Sequence, residues 1–288
     1  MAIESLAALE KACQGRDVYE VVLESDCIDR GSTKEASFHK MRMLYSAMQH
    51  SAAGYDPKLH SKSGMVGGDG AKMRAFAKSG KTICGEFIGT VLAQALEMGE
   101  CNACMKCIVA APTAGSCGVL PAVLLPYQER EHLSDEEMVK ALYVAGVIGQ
   151  VVAAKASIAG AAGGCQAEIG TASAMGAAAL CYLGGGSAEA ICHAAAIAIK
   201  CLLGLVCDPI AGLVEVPCVK RNAAGAMIAM SSADLALAGI RSAVPPDEVI
   251  LAMREVGDQL DVSLKETGIG GIAGTPFGQK IAEKMSGL

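Results

Sequence analysis

The sequence runs to 288 residues with a formal net charge of −6, 52% hydrophobic residues and a mean hydropathy of +0.38. That length allows one large or two ordinary domains, and a negative balance without any Lys/Arg-rich run excludes the electrostatic footprint of a nucleic-acid binder. Aromatic residues contribute 3% with no Trp, against 34 Gly and 14 Met, which predicts closely approaching helices rather than a β-sandwich and hence an all-α chain.

The opening Met1-Ala2-Ile3-Glu4-Ser5-Leu6 has neither the basic nor the long apolar region of a secretory signal, so the 13 cysteines are expected in a reducing cytoplasm. Their odd number also speaks against a complete disulfide framework. A helix is expected over residues 2–13 and another over 17–30, stopped at Gly31. Ser32-Thr33-Lys34-Glu35 reads as a capping box for a helix to about residue 52, with Met41, Leu44, Tyr45 and Met48 on its apolar face. Residues 54–82 break the pattern. Within them Lys62-Ser63-Gly64-Met65-Val66-Gly67-Gly68-Asp69-Gly70 is a polar, Gly-rich stretch that suits either a substrate-facing loop or a surface turn, and it lacks P-loop spacing.

A helix from Cys84 leads to Cys101-Asn102-Ala103-Cys104-Met105-Lys106-Cys107, which resembles a ferredoxin run except that Ala111 stands where the fourth cysteine belongs. Placed on a helix, the three thiols can share a face and read better as a packed seam than as cluster ligands. Thr113 and Ser116 lie in a turn before a helix that begins near Val119, a junction suited to a carboxylate. Ser134-Asp135-Glu136-Glu137 is a second capping box. Cys165 opens a long helix to about residue 182, where the helix dipole would favour its thiolate. An Ala-rich helix follows, in which His193 reads as a core histidine and Cys181, Cys192 and Cys201 as packing.

Cys207 and Cys218 bracket a loop containing Pro209, Gly212 and Pro217, a costly interruption between two apolar helices. A helix resumes at Val219, and Pro245-Pro246 starts another. Gly268 to Ala273 formally matches a dinucleotide fingerprint but has no strand before it, and is expected to be a flexible closing segment. Two uncharged windows, 109–128 and 169–187, raise a membrane alternative; the first carries three prolines and the second runs into Gly184-Gly185-Gly186, so a buried helical core fits better. No repeat or linker divides the chain. The expectation is a single large helical domain over 1–288 with a Gly/Pro-rich loop site.

Cys165, Cys207 and Cys218 thus stand at loop or helix-start positions. Three thiols leave a metal position open, and an open iron can bind a hydroxyl and make it a better leaving group, as in dehydration of a β-hydroxy acid. Gly163-Gly164-Cys165-Gln166-Ala167-Glu168, Leu205 to Gly212 and Val216 to Asn222, with Ala111 to Gly115 and Ser63 to Gly70, together resemble the iron-sulfur-dependent L-serine dehydratase family in its α-subunit form. The resemblance implies an all-helical catalytic unit, a 4Fe-4S cluster on Cys165, Cys207 and Cys218, and conversion of L-serine to pyruvate and ammonia. It also implies a separate β subunit, because the second domain of single-chain members has no counterpart here. His60 is the internal candidate for the base, Lys62, Ser63, Thr113 and Ser116 for substrate contacts, and Glu168 or Arg221 for support; the β subunit is the other source of a base. The rivals are a pyridoxal-phosphate dehydratase using Lys62 or Lys155, a non-catalytic iron-sulfur redox or sensor module on Cys101, Cys104 and Cys107, and an Ala/Gly-rich membrane protein.

Overall fold

A computed structural model describes residues 3–287. In chain order its helices are α1 (Leu6–Ala12), α2 (Val18–Arg30), α3 (Lys34–Ala53), α4 (Asp69–Lys78), α5 (Gly85–Ala103), α6 (Val119–Glu131), α7 (Asp135–Lys155), α8 (Gly160–Gly163), α9 (Thr171–Leu183), α10 (Ala188–Lys200), α11 (Cys218–Leu237), α12 (Pro246–Gln259) and α13 (Pro276–Ser286). Among the described residues there is no strand ladder, only one isolated bridge between Cys207 and Lys265. The all-α expectation holds.

Helix α9 is the axis of the fold. Residues 171–181 of it are all buried, as an apolar helix without a polar face requires, and α7, α10 and α11 surround it. Small side chains let them approach closely: a Cβ on Gly176 of α9 would come within 3.2 Å of Ala229 on α11. Around this centre α5 packs on α11 and α4, α12 covers α10, and α2 and α3 lie against α7. Local signals set the ends. Ser134 Oγ accepts from Glu137 N at 3.3 Å while Glu137 Oε2 accepts from Ser134 N at 2.7 Å, so the capping box that starts α7 is formed. Gly31 ends α2 in the left-handed conformation, at φ 59°.

Several expectations are corrected. Thr33 rather than Ser32 caps α3, accepting from Ala36 N at 3.2 Å, and on α3 Tyr45 and Met48 are buried while Leu44 is exposed. Residues 54–82 are not one loop, because α4 lies within them; its first amides, Asp69 N and Gly70 N, are capped from α5 by Glu100 Oε1 at 2.7 and 3.3 Å. The segment 262–275 is not a loose closing piece: Glu266 N donates to Cys207 O at 2.7 Å and Ile272 N to Asp208 Oδ2 at 2.7 Å. Neither expected membrane window forms a long helix. Among the described residues only α7 is long and apolar enough to cross a membrane, and 67% of its apolar window is buried against the rest of the fold.

Candidate active site

Three separate segments deliver Cys165, Cys207 and Cys218. After α8, Gly164 turns the chain at φ 76°, a conformation that suits glycine, and a Cβ there would also lie 2.6 Å from Leu260 Cδ1. Cys165 then leads into a π-helical turn, Gln166–Gly170, before α9 begins; such turns recur at functional sites. Gln166 ties this turn to the next segment, its backbone N donating to Leu205 O and its Oε1 accepting from Gly204 N, both at 2.9 Å. Cys207 is held on both sides of its peptide, its N donating to Leu264 O at 2.8 Å and its O accepting from Glu266 N. Cys218 is the first residue of α11, and Asn222 one turn on donates to Cys218 O at 2.9 Å and Gly115 O at 2.8 Å while accepting from Gly118 N at 2.8 Å. That single amide joins the 113–118 turn to the end of the cysteine loop.

All three thiols are buried and unpaired. Burial pushes Cys165 up to about 11, with Arg221 pulling the other way. It pushes Cys218 up to about 12, and the neighbouring Cys165 and Glu168 add to the rise. Cys207 is raised furthest, first by burial and then by Cys165 and Glu168. The three therefore lie within electrostatic reach of one another, and burial disfavours the thiolate form of each. At Cys165 the loss of water works against the helix-start dipole. Among the described residues no three His, Cys, Asp or Glu side chains converge as a single metal ion requires.

Glu168 is the carboxylate of this pocket. Thr113 Oγ1 donates to its Oε1 at 2.8 Å, its Oε2 lies 4.0 Å from Cys207 Sγ, and burial raises its pKa. Glycine makes the room: a Cβ on Gly160 would sit 2.7 Å from Cys207 Sγ and 2.8 Å from Glu168 Oε2. Arg221 donates to Val206 O at 2.7 Å and Asp208 Oδ1 at 2.8 Å, bracing the residues on either side of Cys207.

The other expected residues are placed unequally. Thr113 reaches the pocket through Glu168, whereas Ser116 is fully buried beneath it with its hydroxyl bonded within the 111–116 turn. Ser63 and Ser61 both donate to Glu215 Oε2, so the Gly-rich loop is clasped to the cysteine loop through a buried carboxylate. Lys62 is exposed on that loop. His60 is exposed too; its Nδ1 faces Lys58 O at 3.1 Å and its ring packs by Gly67, with no contact to the thiols among those described. Lys155, the other lysine considered for a Schiff base, ends α7 with its ammonium 3.7 Å from Asp247. Cys101, Cys104 and Cys107 do not share a helix face, since α5 ends at Ala103, Cys104 caps it and Cys107 is exposed beyond it. His193, expected in the core, is only half-buried, its Nδ1 accepting from Ser242 N at 3.1 Å. Sequence reasoning placed Glu168 only as support; the available signal was its position one helical turn after Cys165.

A family model described as serine dehydratase alpha chain matches residues 13–273. The chain is 46% identical over 270 residues to the probable L-serine dehydratase alpha chain of Bacillus subtilis, covering 94% of this chain and 90% of that one. It is 45% identical over 269 residues to the L-serine dehydratase alpha chain of Peptoniphilus asaccharolyticus, covering 93% and 92%. Its match to L-serine dehydratase 1 of Escherichia coli is 43% identical over 183 residues, which is 62% of this chain and 40% of that enzyme. The matched span includes the Cys165 turn, the cysteine loop and the Thr113 turn together. By the extent of these matches the chain belongs to the serine dehydratase alpha chain family.

Proposed function

We propose that the chain is the catalytic alpha chain of an iron-sulfur L-serine dehydratase, converting L-serine to pyruvate and ammonia, with a separate β chain completing the enzyme. Cys165, Cys207 and Cys218 are the residues that would hold its 4Fe-4S cluster. The observation that carries this reading is a set of three buried, unpaired thiols, gathered from three segments around one carboxylate, in a chain of this family. The donor set fits the group. Buried thiols that repel one another's ionisation need a positive centre among them to become thiolates. A single ion would draw its sulfur ligands to about 2.3 Å, and the described residues offer no such convergence; a multi-iron group spans wider spacing.

When bound, the cluster supplies an open Lewis-acid iron for the substrate hydroxyl. The chain's own residues do the rest. Glu168 carries its carboxylate beside Cys207, oriented by Thr113 Oγ1, and this geometry makes it a candidate beside His60 to accept the Cα proton, at Oε2. Loss of that proton and of the β-hydroxyl leaves aminoacrylate, which tautomerises to an imine; one water then hydrolyses it to pyruvate and ammonia, balancing the water removed. Gly115 and Gly160 keep the space beside Glu168 open. Thirteen free thiols suit a reducing compartment, and we place the enzyme in the cytoplasm.

The test is anaerobic purification with the β chain, followed by iron and sulfide counting and an assay for pyruvate from L-serine. Cys207→Ala is expected to lose both cluster and activity while Cys104→Ala keeps both. The opposite pattern would refute the ligand set.

A further inference from the structure

The last helix presents an apolar stripe that the rest of the chain covers only in part. In α13, Phe277, Ile281 and Met285 recur at i, i+4 and i+8 and so line one face. Phe277 is 60% exposed, Ile281 and Met285 are half-buried, and Gly278 is the helix's only buried residue among those described. The segment leading into α13 adds Val262 at 72% and Ile269 at 68% exposed. Three large apolar side chains, Val262, Ile269 and Phe277, are thus exposed within one short segment, and such clustering, unlike a single exposed apolar side chain, suits an interaction site.

This surface covers the cysteine loop. Helix α13 packs chiefly on the turn Ile210–Gly212, which lies between Cys207 and Cys218. A Cβ on Gly268 would come 3.2 Å from Gly212 N, Ile272 N donates to Asp208 Oδ2, and Glu266 N donates to Cys207 O. One layer of chain therefore separates Cys207 from the exposed stripe. Whatever docks on α13 bears directly on the segment that positions this thiol.

The relatives indicate the occupant. A 183-residue match that is 40% of E. coli L-serine dehydratase 1 makes that enzyme about 460 residues long, some 160 more than the roughly 300 of the B. subtilis alpha chain, and a surplus of roughly that size is one further domain. The B. subtilis alpha chain has no such surplus, since 270 matched residues are 90% of it. An enzyme that keeps the extra domain on a second chain has to hold it by surface contact alone. We infer that the face formed by 262–285, with Phe277 at its centre, is the docking surface for the β chain, a folded partner of about one domain presenting a complementary apolar patch. This rests on the two-chain reading above and adds where the second chain binds. An aromatic anchor set in an apolar stripe is the usual centre of such a contact, and here the contact seals the layer over Cys207.

The test uses the chain co-expressed with the β chain of its own enzyme. Phe277→Asp is expected to weaken the measured Kd at least 30-fold, as loss of an interface anchor does, while Ile28→Asp, at an equally exposed position on α2, leaves it within threefold. Hydrogen exchange on the wild-type pair supplies a readout independent of variant folding: amides of 262–285 should gain protection when the β chain binds. Unchanged affinity in Phe277→Asp, or protection confined to other segments, overturns the assignment. So does concentration-dependent self-association that protects this face without the β chain. Absence of any wild-type complex would instead refute the two-chain reading itself.

Discussion

Arg221 shows how one side chain braces the site. Its guanidinium donates to Asp208 Oδ1 and to Val206 O, and Asp208 uses its other oxygen to accept from Ile272 N. The buried carboxylate is thus satisfied by one cation and one amide, and both bonds hold the chain on either side of Cys207. Arg221→Met keeps the length but leaves Asp208 charged without its partner, so unfolding in denaturant should show a loss of about 3–5 kcal/mol. Arg221→Lys should recover only part of it, since an ammonium does not reproduce the two-armed fork. A loss below about 1 kcal/mol would show that water replaces the guanidinium. Residues of this kind were partly legible beforehand. The Pro/Gly punctuation around Cys207 and Cys218 and the helix start at Cys165 marked the thiols, because a broken helix in apolar sequence needs a reason. His60 adjoins the Gly-rich loop in sequence, and its side chain is exposed. Glu168 acquires its role only when Thr113, 55 residues earlier, folds onto it.

At the scale of elements, the Gly-rich loop depends on an anchor from elsewhere. Ser61 Oγ donates to Glu215 Oε2 at 2.7 Å, Ser63 Oγ shares that oxygen, and Ser63 Oγ in turn accepts from Met65 N at 3.0 Å. The loop is folded on a carboxylate that belongs to the cysteine loop, so the two move together. Glu215→Ala removes the shared acceptor and leaves the Ser61 and Ser63 hydroxyls, 3.2 Å apart, only each other to donate to, so that one buried hydroxyl proton loses its acceptor, a cost of about 1–3 kcal/mol. Because local opening governs cleavage of a folded chain, trypsin should cut after Lys62 at least tenfold faster in this variant, with Glu215→Gln intermediate. Cleavage at the wild-type rate would mean that the glycine turns hold the loop without Glu215. The same long-range dependence hid α4. Its start, Gly68-Asp69-Gly70, carries no local side-chain cap and reads as loop, and the cap comes from Glu100 on α5. Helix α7 was legible because its cap is local, at Ser134 and Glu137.

For the whole molecule, scarcity of aromatic residues and abundance of Ala and Gly pointed correctly to helices in close contact. Composition does not say which glycines the contacts require. Gly225 on α11 faces α9 at a crossing where a Cβ would meet Ile169 Cγ2 at 2.8 Å and Ser173 Oγ at 2.9 Å. Gly146, inside α7, has nothing within 4 Å of the same position. Both glycines are helical, so alanine would gain the same helix propensity at each, up to about 1 kcal/mol. At Gly225 that gain meets overpacking of about 1–3 kcal/mol, because neither neighbour is the free end of a long flexible side chain. Gly225→Ala should therefore lower the thermal midpoint by about 1–3 °C, whereas Gly146→Ala should raise it by up to about 2 °C, because 1 kcal/mol moves a chain of 288 residues by roughly 2 °C or less. The sign difference is the decisive measurement. If both variants were stabilised, the α9–α11 crossing could relax without cost, and close approach at small residues would not be what holds the helices that carry Cys165 and Cys218 together.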